Sequence, residues 1–410
     1  MLSAAVQDPF QSELNNLRAR SLHRRLRQMD STPDGSVELA GGKLVNFASN
    51  DYLGLADDPI LRDAAKAAID RYGVGAGASR LVSGTRPVHT RLEEKLARFK
   101  GSEAALSFSS GYAAAAGAIG VLADKQDVLI LDKLCHASLV DAARASGAIL
   151  RVFPHNHLGK LEDHLHWARR EHPEARVIVI TEAVFSMDGD RAPMAEIVDL
   201  KVKNGALLLL DEAHSIGVIG RHGRGLAAEL GLAAEVDIHL GTLSKALGVS
   251  GGYIAGKRSL IDLLVNRARP FIYSTAPPPV LAAAAEAAID FLVSEEGERR
   301  RLTLWQGIRL LGTQLPPSPA KAEDGDDEQP APVRKDGGSA IFPWIVGGEA
   351  DAVNYSSWLA KKGFFAPAIR FPTVARGTAR LRLTVTARHR PEQILALGRA
   401  LQELVQTLQH

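Results

Sequence analysis

Short runs of consecutive apolar residues recur through the middle of the chain. They are AlaAlaLeuSerPhe at 104, ValLeuIleLeuAsp at 128, IleLeuArgValPhe at 149, ValIleValIleThr at 177, LeuLeuLeuLeuAsp at 207, IleHisLeuGlyThr at 238 and GlyTyrIleAlaGly at 252. Most are continuous rather than alternating, as strands covered on both faces require, and helical patterns such as Glu196 to Lys203 separate several of them. This predicts an α/β layered domain around a seven-stranded, mainly parallel sheet.

The flanks read differently. Apolar positions 14, 17, 22 and 26 predict a basic helix over 13–29. Beyond residue 279 come a long Ala/Leu helix, strand-like text at 340 and 380, a helix over 350–362 and a closing helix from Pro391, the make-up of a smaller α+β domain. The expected division is an N-terminal helix and strand segment (1–45), a large α/β domain (46–278) and a C-terminal α+β domain (279–410). Residues 316–338, rich in Pro, Gly, Asp and Glu, are expected to form a flexible loop.

Composition narrows the task. The 410 residues are 46% hydrophobic and carry a formal charge of +2, from 49 basic and 47 acidic side chains. No global field points to nucleic acid or an anionic membrane, which leaves a small-molecule task. Cys135 is the single cysteine, which excludes an intramolecular disulfide framework and any multi-cysteine zinc or iron-sulfur site; no metal centre is expected. The most apolar stretches, such as 206–210 and 280–285, are far shorter than the roughly 20 residues that span a bilayer. No signal peptide is visible, so a cytoplasmic location is expected.

The chemistry sits just past the strand ends. In GlyThrLeuSerLysAlaLeuGly (241–248), Lys245 follows a buried strand, where desolvation would free its amine to condense with an aldehyde; an exposed loop lysine is the alternative. Asp211 in AspGluAlaHisSerIleGly (211–217) could hold a protonated pyridine nitrogen, or simply cap the next helix, and His214 could reach a ring hydroxyl. SerSerGlyTyrAlaAlaAla (109–115) has the makings of a phosphate cradle at a helix N-terminus, or of an ordinary cap. His136 lies beyond another strand, where an imidazole could stack on a planar ring or be structural, and Ser186 could donate to a phenolate. The glycine cluster at 73–77 lacks the dinucleotide spacing.

The order of these features, together with AsnPheAlaSerAsnAspTyrLeuGlyLeu at 46, GlyAlaSerArgLeuValSerGly at 77, ThrGluAlaValPheSerMetAspGlyAsp at 181, IleTyrSerThrAlaProPro at 272 and GlyThrAlaArgLeuArgLeuThr at 377, resembles the α-oxoamine synthases over nearly the whole chain. These are pyridoxal-phosphate (PLP) enzymes of fold type I that condense an amino acid with an acyl thioester.

The resemblance implies that Lys245 carries PLP as a Schiff base, that Asp211 pairs with the pyridine nitrogen and that His136 stacks on the ring. It implies further cofactor contacts from Ser110, Gly111, Tyr112, Ser186, His214 and Thr242, with Thr275 reaching the phosphate of a second subunit in a homodimer. Arg382, with Arg380 nearby, matches the arginine that grips the amino-acid carboxylate; Arg24, His136 and Thr373 match substrate-binding positions. The nearest branch joins L-alanine to a pimeloyl group on CoA or a carrier protein. A glycine-using member remains the alternative, with a non-catalytic partner subunit and an aminotransferase further off. Phe371 stands where the family often has proline, His157 where it often has aspartate, and 316–338 looks like an insertion.

Overall fold

The computed structural model describes residues 8–32, 34–39, 42–320 and 338–408. Three N-terminal strands, β1 (Met29–Ser31), β2 (Ser36–Leu39) and β3 (Gly42–Asn46), form an antiparallel meander. The seven apolar runs all become strands: β4 (Ala104–Phe108), β5 (Val128–Asp132), β6 (Ile149–Phe153), β7 (Val177–Glu182), β8 (Leu207–Asp211), β9 (Ile238–Thr242) and β10 (Gly252–Gly256). They make one sheet in the order β4-β10-β9-β8-β7-β5-β6. Only β10 runs antiparallel to its neighbours.

Successive side chains leave opposite faces of this sheet, and both faces are dry. Val177, Val179, Leu208 and Leu210 enter one core cluster, while Ile178, Ile180, Leu209 and Leu240 enter the other. The continuous apolar text thus reflects helices packed on both sides. Because β4, β5, β7, β8 and β9 point the same way, their carboxyl ends lie along one edge, the place where open α/β sheets take ligands.

The C-terminal portion adds β11 (Ile341–Gly347), β12 (Phe364–Phe365), β13 (Ala368–Ile369) and β14 (Ala379–Thr384), with helices Pro279–Val293, Glu295–Gln314, Glu349–Lys361 and Pro391–Leu408. A three-stranded sheet runs β11-β14-β13, while β12 pairs parallel with β3 and so builds the N-terminal strands into the C-terminal portion. Residues 321–337 of the expected loop lie outside the described residues.

The helix expected over 13–29 is corrected. It spans Pro9–Ala19, capped by Asp8. Ser21 takes φ of 54°, and the N–H groups of Leu22 and His23 both donate to the Leu17 carbonyl, which closes the helix end. Leu22 is buried and Leu26 fully exposed, so the spacing that suggested one apolar face does not describe one. Arg24 therefore lies past the helix, on a segment without regular secondary structure.

Behind the sheet edge sits a buried ion cluster. Lys100 Nζ lies 2.5 Å from Glu212 Oε2 and donates to the Arg224 carbonyl, while His239 Nδ1 lies 3.2 Å from the same Glu212 oxygen. Burial alone would raise the Glu212 pKa, but Lys100 and His239 outweigh it and hold the carboxyl at about 2. Lys100→Met leaves that carboxylate buried and uncompensated. It is expected to lose about 3–5 kcal/mol of unfolding free energy in urea titrations. With a folded-state pKa below its ordinary 4.5, Glu212 contributes stability above that pH, and the contribution is expected to fade as pH drops toward 2.

Candidate active site

Four strands of one direction end in a polar residue at the sheet edge: Asp132 on β5, Glu182 on β7, Asp211 on β8 and Thr242 on β9. Glu182 and Asp211 are register partners on adjacent strands, and both are buried. Asp211 Oδ1 accepts the Ala213 N–H at 2.9 Å; Oδ2 has no hydrogen bond among the described residues. Burial pushes the Asp211 pKa up to about 6, against the pull of Lys245. Glu182 is driven well above the carboxylate range by burial and by Asp211.

Lys245 stands in the turn after β9. Its Nζ lies 2.7 Å from His214 Nε2, and burial brings its pKa down to about 8 against the opposing attraction of Asp211 and Glu182. His214 is itself buried, and desolvation, Lys245 and Arg382 keep it neutral. Its Nδ1 lies 2.6 Å from the Tyr52 phenol oxygen. Both the lysine and its partner are thus uncharged or readily so near neutral pH.

The helix Gly111–Leu122 begins at this edge. Ser110 caps it, Oγ accepting the Ala113 N–H at 3.0 Å, and a Cβ on Gly111 would come within 3.5 Å of Thr242 Cβ, so the β4 and β9 loops abut. Thr242 Oγ1 donates to the Gly251 carbonyl and lies 2.7 Å from Ser244 Oγ. Tyr112 is half exposed and donates to Asp141 Oδ2 at 2.8 Å. His136 caps the helix Ala137–Ser146: its Nδ1 accepts the Ser138 N–H, and its own N–H donates to Glu182 Oε1 at 2.5 Å. Partial burial and the Lys245 charge lower its pKa.

The hairpin that carries Ser186 is gripped from the C-terminal sheet. Arg382 donates through Nε to the Ser186 carbonyl and through Nη1 to Asn50 Oδ1 at 3.1 Å. Arg380, two residues earlier on the same face of β14, is spent on Asp188 Oδ1 at 2.5 Å and the Met187 carbonyl. Of the two arginines, Arg382 is the one that extends toward Tyr52 and Asn50. Gly189 has φ of 73°, and a Cβ there would run into the Ile341 carbonyl, so only glycine lets β11 approach the hairpin. From the other side His155 bridges Asp132 Oδ1 at 3.0 Å and Asp190 Oδ2 at 2.8 Å; those carboxylates outweigh burial and raise its pKa to about 10.

Such a site fits PLP. Asp211 is a buried carboxylate with an unused oxygen and no ion-pair partner among the described residues, which suits a cationic ring nitrogen. Ser186 Oγ has no hydrogen bond among the described residues, and the Gly111 helix start offers its N–H groups to an anion.

The sequence agrees with this fit. A family model for aminotransferase class I and II matches residues 42–401. The 8-amino-7-oxononanoate synthase of Geobacter sulfurreducens is 45% identical over 92% of this chain and 93% of its own length. A serine palmitoyltransferase from Sphingomonas wittichii superposes with a TM-score of 0.87 at 32% identity, covering 98% of this chain and 97% of that one. One from S. paucimobilis, with bound PLP and myriocin, gives 0.87 at 28% identity over 98% of each chain. The chain belongs to the class I and II aminotransferase family. It is a PLP-dependent transferase of the α-oxoamine synthase type, built on fold type I.

Among the residues that the family resemblance singled out, Lys245, His214, Arg382 and Ser186 are linked by hydrogen bonds directly or through Tyr52, and Asp211 acts on Lys245 electrostatically. Arg24 and Thr373 meet elsewhere. Arg24 Nη2 donates to the Phe371 carbonyl at 2.8 Å, Thr373 is exposed two residues on, and no contact among the described residues joins them to Lys245. Thr275 is exposed, bridges to Ser79, and lines a small hollow with Arg80, Ser107 and Ser109.

Three functional candidates escaped the sequence reading. Asn50 and Tyr52 lie in a polar loop after β3, inside the quoted stretch at 46, with no periodic pattern to mark them. Glu182 directly follows the apolar run at 177 and lies inside the quoted stretch at 181, the two signals that could have found it.

A lowered lysine pKa predicts selective chemistry. In cofactor-free protein, Lys245 is expected to react with an amine-directed reagent with a midpoint near pH 8, while surface lysines follow a midpoint about two units higher; peptide mapping of the labelled protein across pH checks this.

Proposed function

We propose that this chain condenses L-alanine with a pimeloyl thioester, releasing carbon dioxide and the thiol carrier and forming 8-amino-7-oxononanoate, a step of biotin biosynthesis. The observation that carries the reading is 45% identity over 92% of the chain to a synthase of that name, joined to a buried Lys245–His214 contact beside Asp211. Identity to the superposable serine palmitoyltransferase is lower, at 32%.

When bound, PLP supplies an aldehyde for the amine and a ring that withdraws electron density from the amino-acid α carbon. The chain's residues do the rest. Lys245 anchors the cofactor and, as a neutral amine, takes the α proton of alanine and later returns a proton to the product carbon. Asp211 keeps the ring nitrogen protonated, because a carboxylate buried without another counter-ion favours a cation beside it. Ser110, Gly111 and Tyr112 take the phosphate end, with Thr275 of a second copy completing it in a homodimer. His136 covers the ring face, while Ser186, Thr242 and His214 orient its edge.

Arg382 holds the alanine carboxylate in bidentate fashion, already aimed by Asn50 and the Ser186 carbonyl. Arg24 and Thr373 serve the acyl thioester. On this reading residues 46–278 form the cofactor-binding domain and 279–410 the domain that brings Arg382, after an N-terminal segment over 1–45. None of the described helices is long and apolar enough to cross a membrane.

The test is CoA or carrier-thiol release with purified enzyme and PLP. With the same pimeloyl thioester, alanine is expected to turn over at least tenfold faster than glycine, about what one methyl group can discriminate, and acetyl-CoA and succinyl-CoA are expected to be poorer acyl donors. Absence of turnover with alanine and either pimeloyl thioester rejects the assignment. Lys245→Ala is expected to lose its near-visible colour on dialysis together with all turnover.

A further inference from the structure

Tyr52 is fully buried, yet the reaction as written leaves it without a task. Its phenol oxygen lies 2.6 Å from His214 Nδ1, and on the opposite side of that imidazole Nε2 lies 2.7 Å from Lys245 Nζ. The phenol also lies 3.2 Å from Asn50 Oδ1, which accepts Arg382 Nη1 at 3.1 Å. Hydrogen bonds therefore run from Lys245 through His214 to Tyr52, whose phenol oxygen meets Arg382 both directly, accepting from Nη2 at 3.5 Å, and through Asn50.

Counting protons along this file gives two consistent orders. A neutral imidazole has one N–H and one bare nitrogen. When Lys245 is an ammonium it can only donate, so Nε2 accepts, Nδ1–H donates to the Tyr52 oxygen, and the Tyr52 O–H turns to Asn50. When Lys245 is a free amine it can accept, so Nε2–H donates to it and Nδ1 takes the Tyr52 O–H. Both orders leave every buried group satisfied only because a phenol can serve as donor or acceptor.

We propose that Tyr52 is a positioning residue that lets His214 change tautomer as Lys245 gains or loses its proton. The proposal rests on the reading of Lys245 as the cofactor lysine and proton acceptor. Charged and titratable groups facing His214 are Lys245, Arg382 and His136, and those facing Lys245 are Asp211, Glu182 and Arg382. Burial, Lys245 and Arg382 all oppose an imidazolium, which leaves the choice between neutral tautomers. Tyr52 is the group that meets Nδ1 among the described residues.

The experiment follows full-length chain labelled with 15N-histidine, with and without PLP, comparing wild type and Tyr52→Phe. In cofactor-free wild type, the His214 signal is expected to pass from the Nδ1–H to the Nε2–H form as Lys245 titrates. In Tyr52→Phe the Nδ1–H form has no acceptor, so His214 is expected to stay in the Nε2–H form, which cannot accept from an ammonium. The Lys245 midpoint then moves down by about one pH unit, a tenfold change in acidity.

With PLP bound, the pH midpoints of the near-visible absorbance and of kcat/KM are expected to move, while alanine KM changes less than kcat. Unchanged tautomer behaviour and midpoints in Tyr52→Phe overturn the proposal and reduce Tyr52 to packing. Should that variant fail to fold, Asn50→Ala, which removes the acceptor of the Tyr52 O–H, is expected to move the Lys245 midpoint the same way by less; no movement likewise overturns it. Retained cofactor colour in Lys245→Ala would instead reject the cofactor-lysine reading, and the cofactor-free titration would still judge Tyr52.

Discussion

Two carboxylates buried side by side on neighbouring strands constrain the whole centre. Asp211 and Glu182 cannot both ionise in a dry pocket unless positive charge stands beside them. Burial and Asp211 tip Glu182 toward its neutral form, and Lys245 is the cation that both feel. On the proposed reading, as Lys245 gives up its charge the edge of the sheet favours a cationic ring in its place. Cofactor binding and lysine deprotonation are then two sides of one electrostatic balance.

The fold supports that balance from behind and from across. The buried Lys100–Glu212–His239 cluster pins the residue next to Asp211, so the strand end cannot relax to bring the carboxylate to water. Across the edge, the Ser186 hairpin is held by Arg380 and Arg382 from β14 and by His155 through Asp190. Each grip uses a cation with a defined partner, which spends charge on geometry rather than on net stability.

Much of this was legible in the sequence because burial on both faces of a parallel sheet writes itself as uninterrupted apolar text. The same rule drew attention to Lys245, Asp211 and His214, which stand at or just past the ends of such runs, whereas Thr242 came only from the family resemblance. What stayed hidden depends on contacts distant in sequence. Nothing local separates Arg380 from Arg382; the separation comes from Asp188, nearly two hundred residues away. Helical spacing carried past Ala19 into 22–28, where Arg24 is instead drawn to the Phe371 carbonyl. Tyr52 and Asn50 have meaning only once β3 has brought their loop beneath His214.

The two arginines of β14 share a face because they stand two residues apart, and side chains on a strand alternate. One guanidinium fastens the C-terminal sheet to the hairpin, and the other enters the site. A single inserted residue ahead of them would turn both to the opposite face together. Side chains of this strand can therefore be exchanged one at a time, whereas a shift of its register moves both guanidiniums at once.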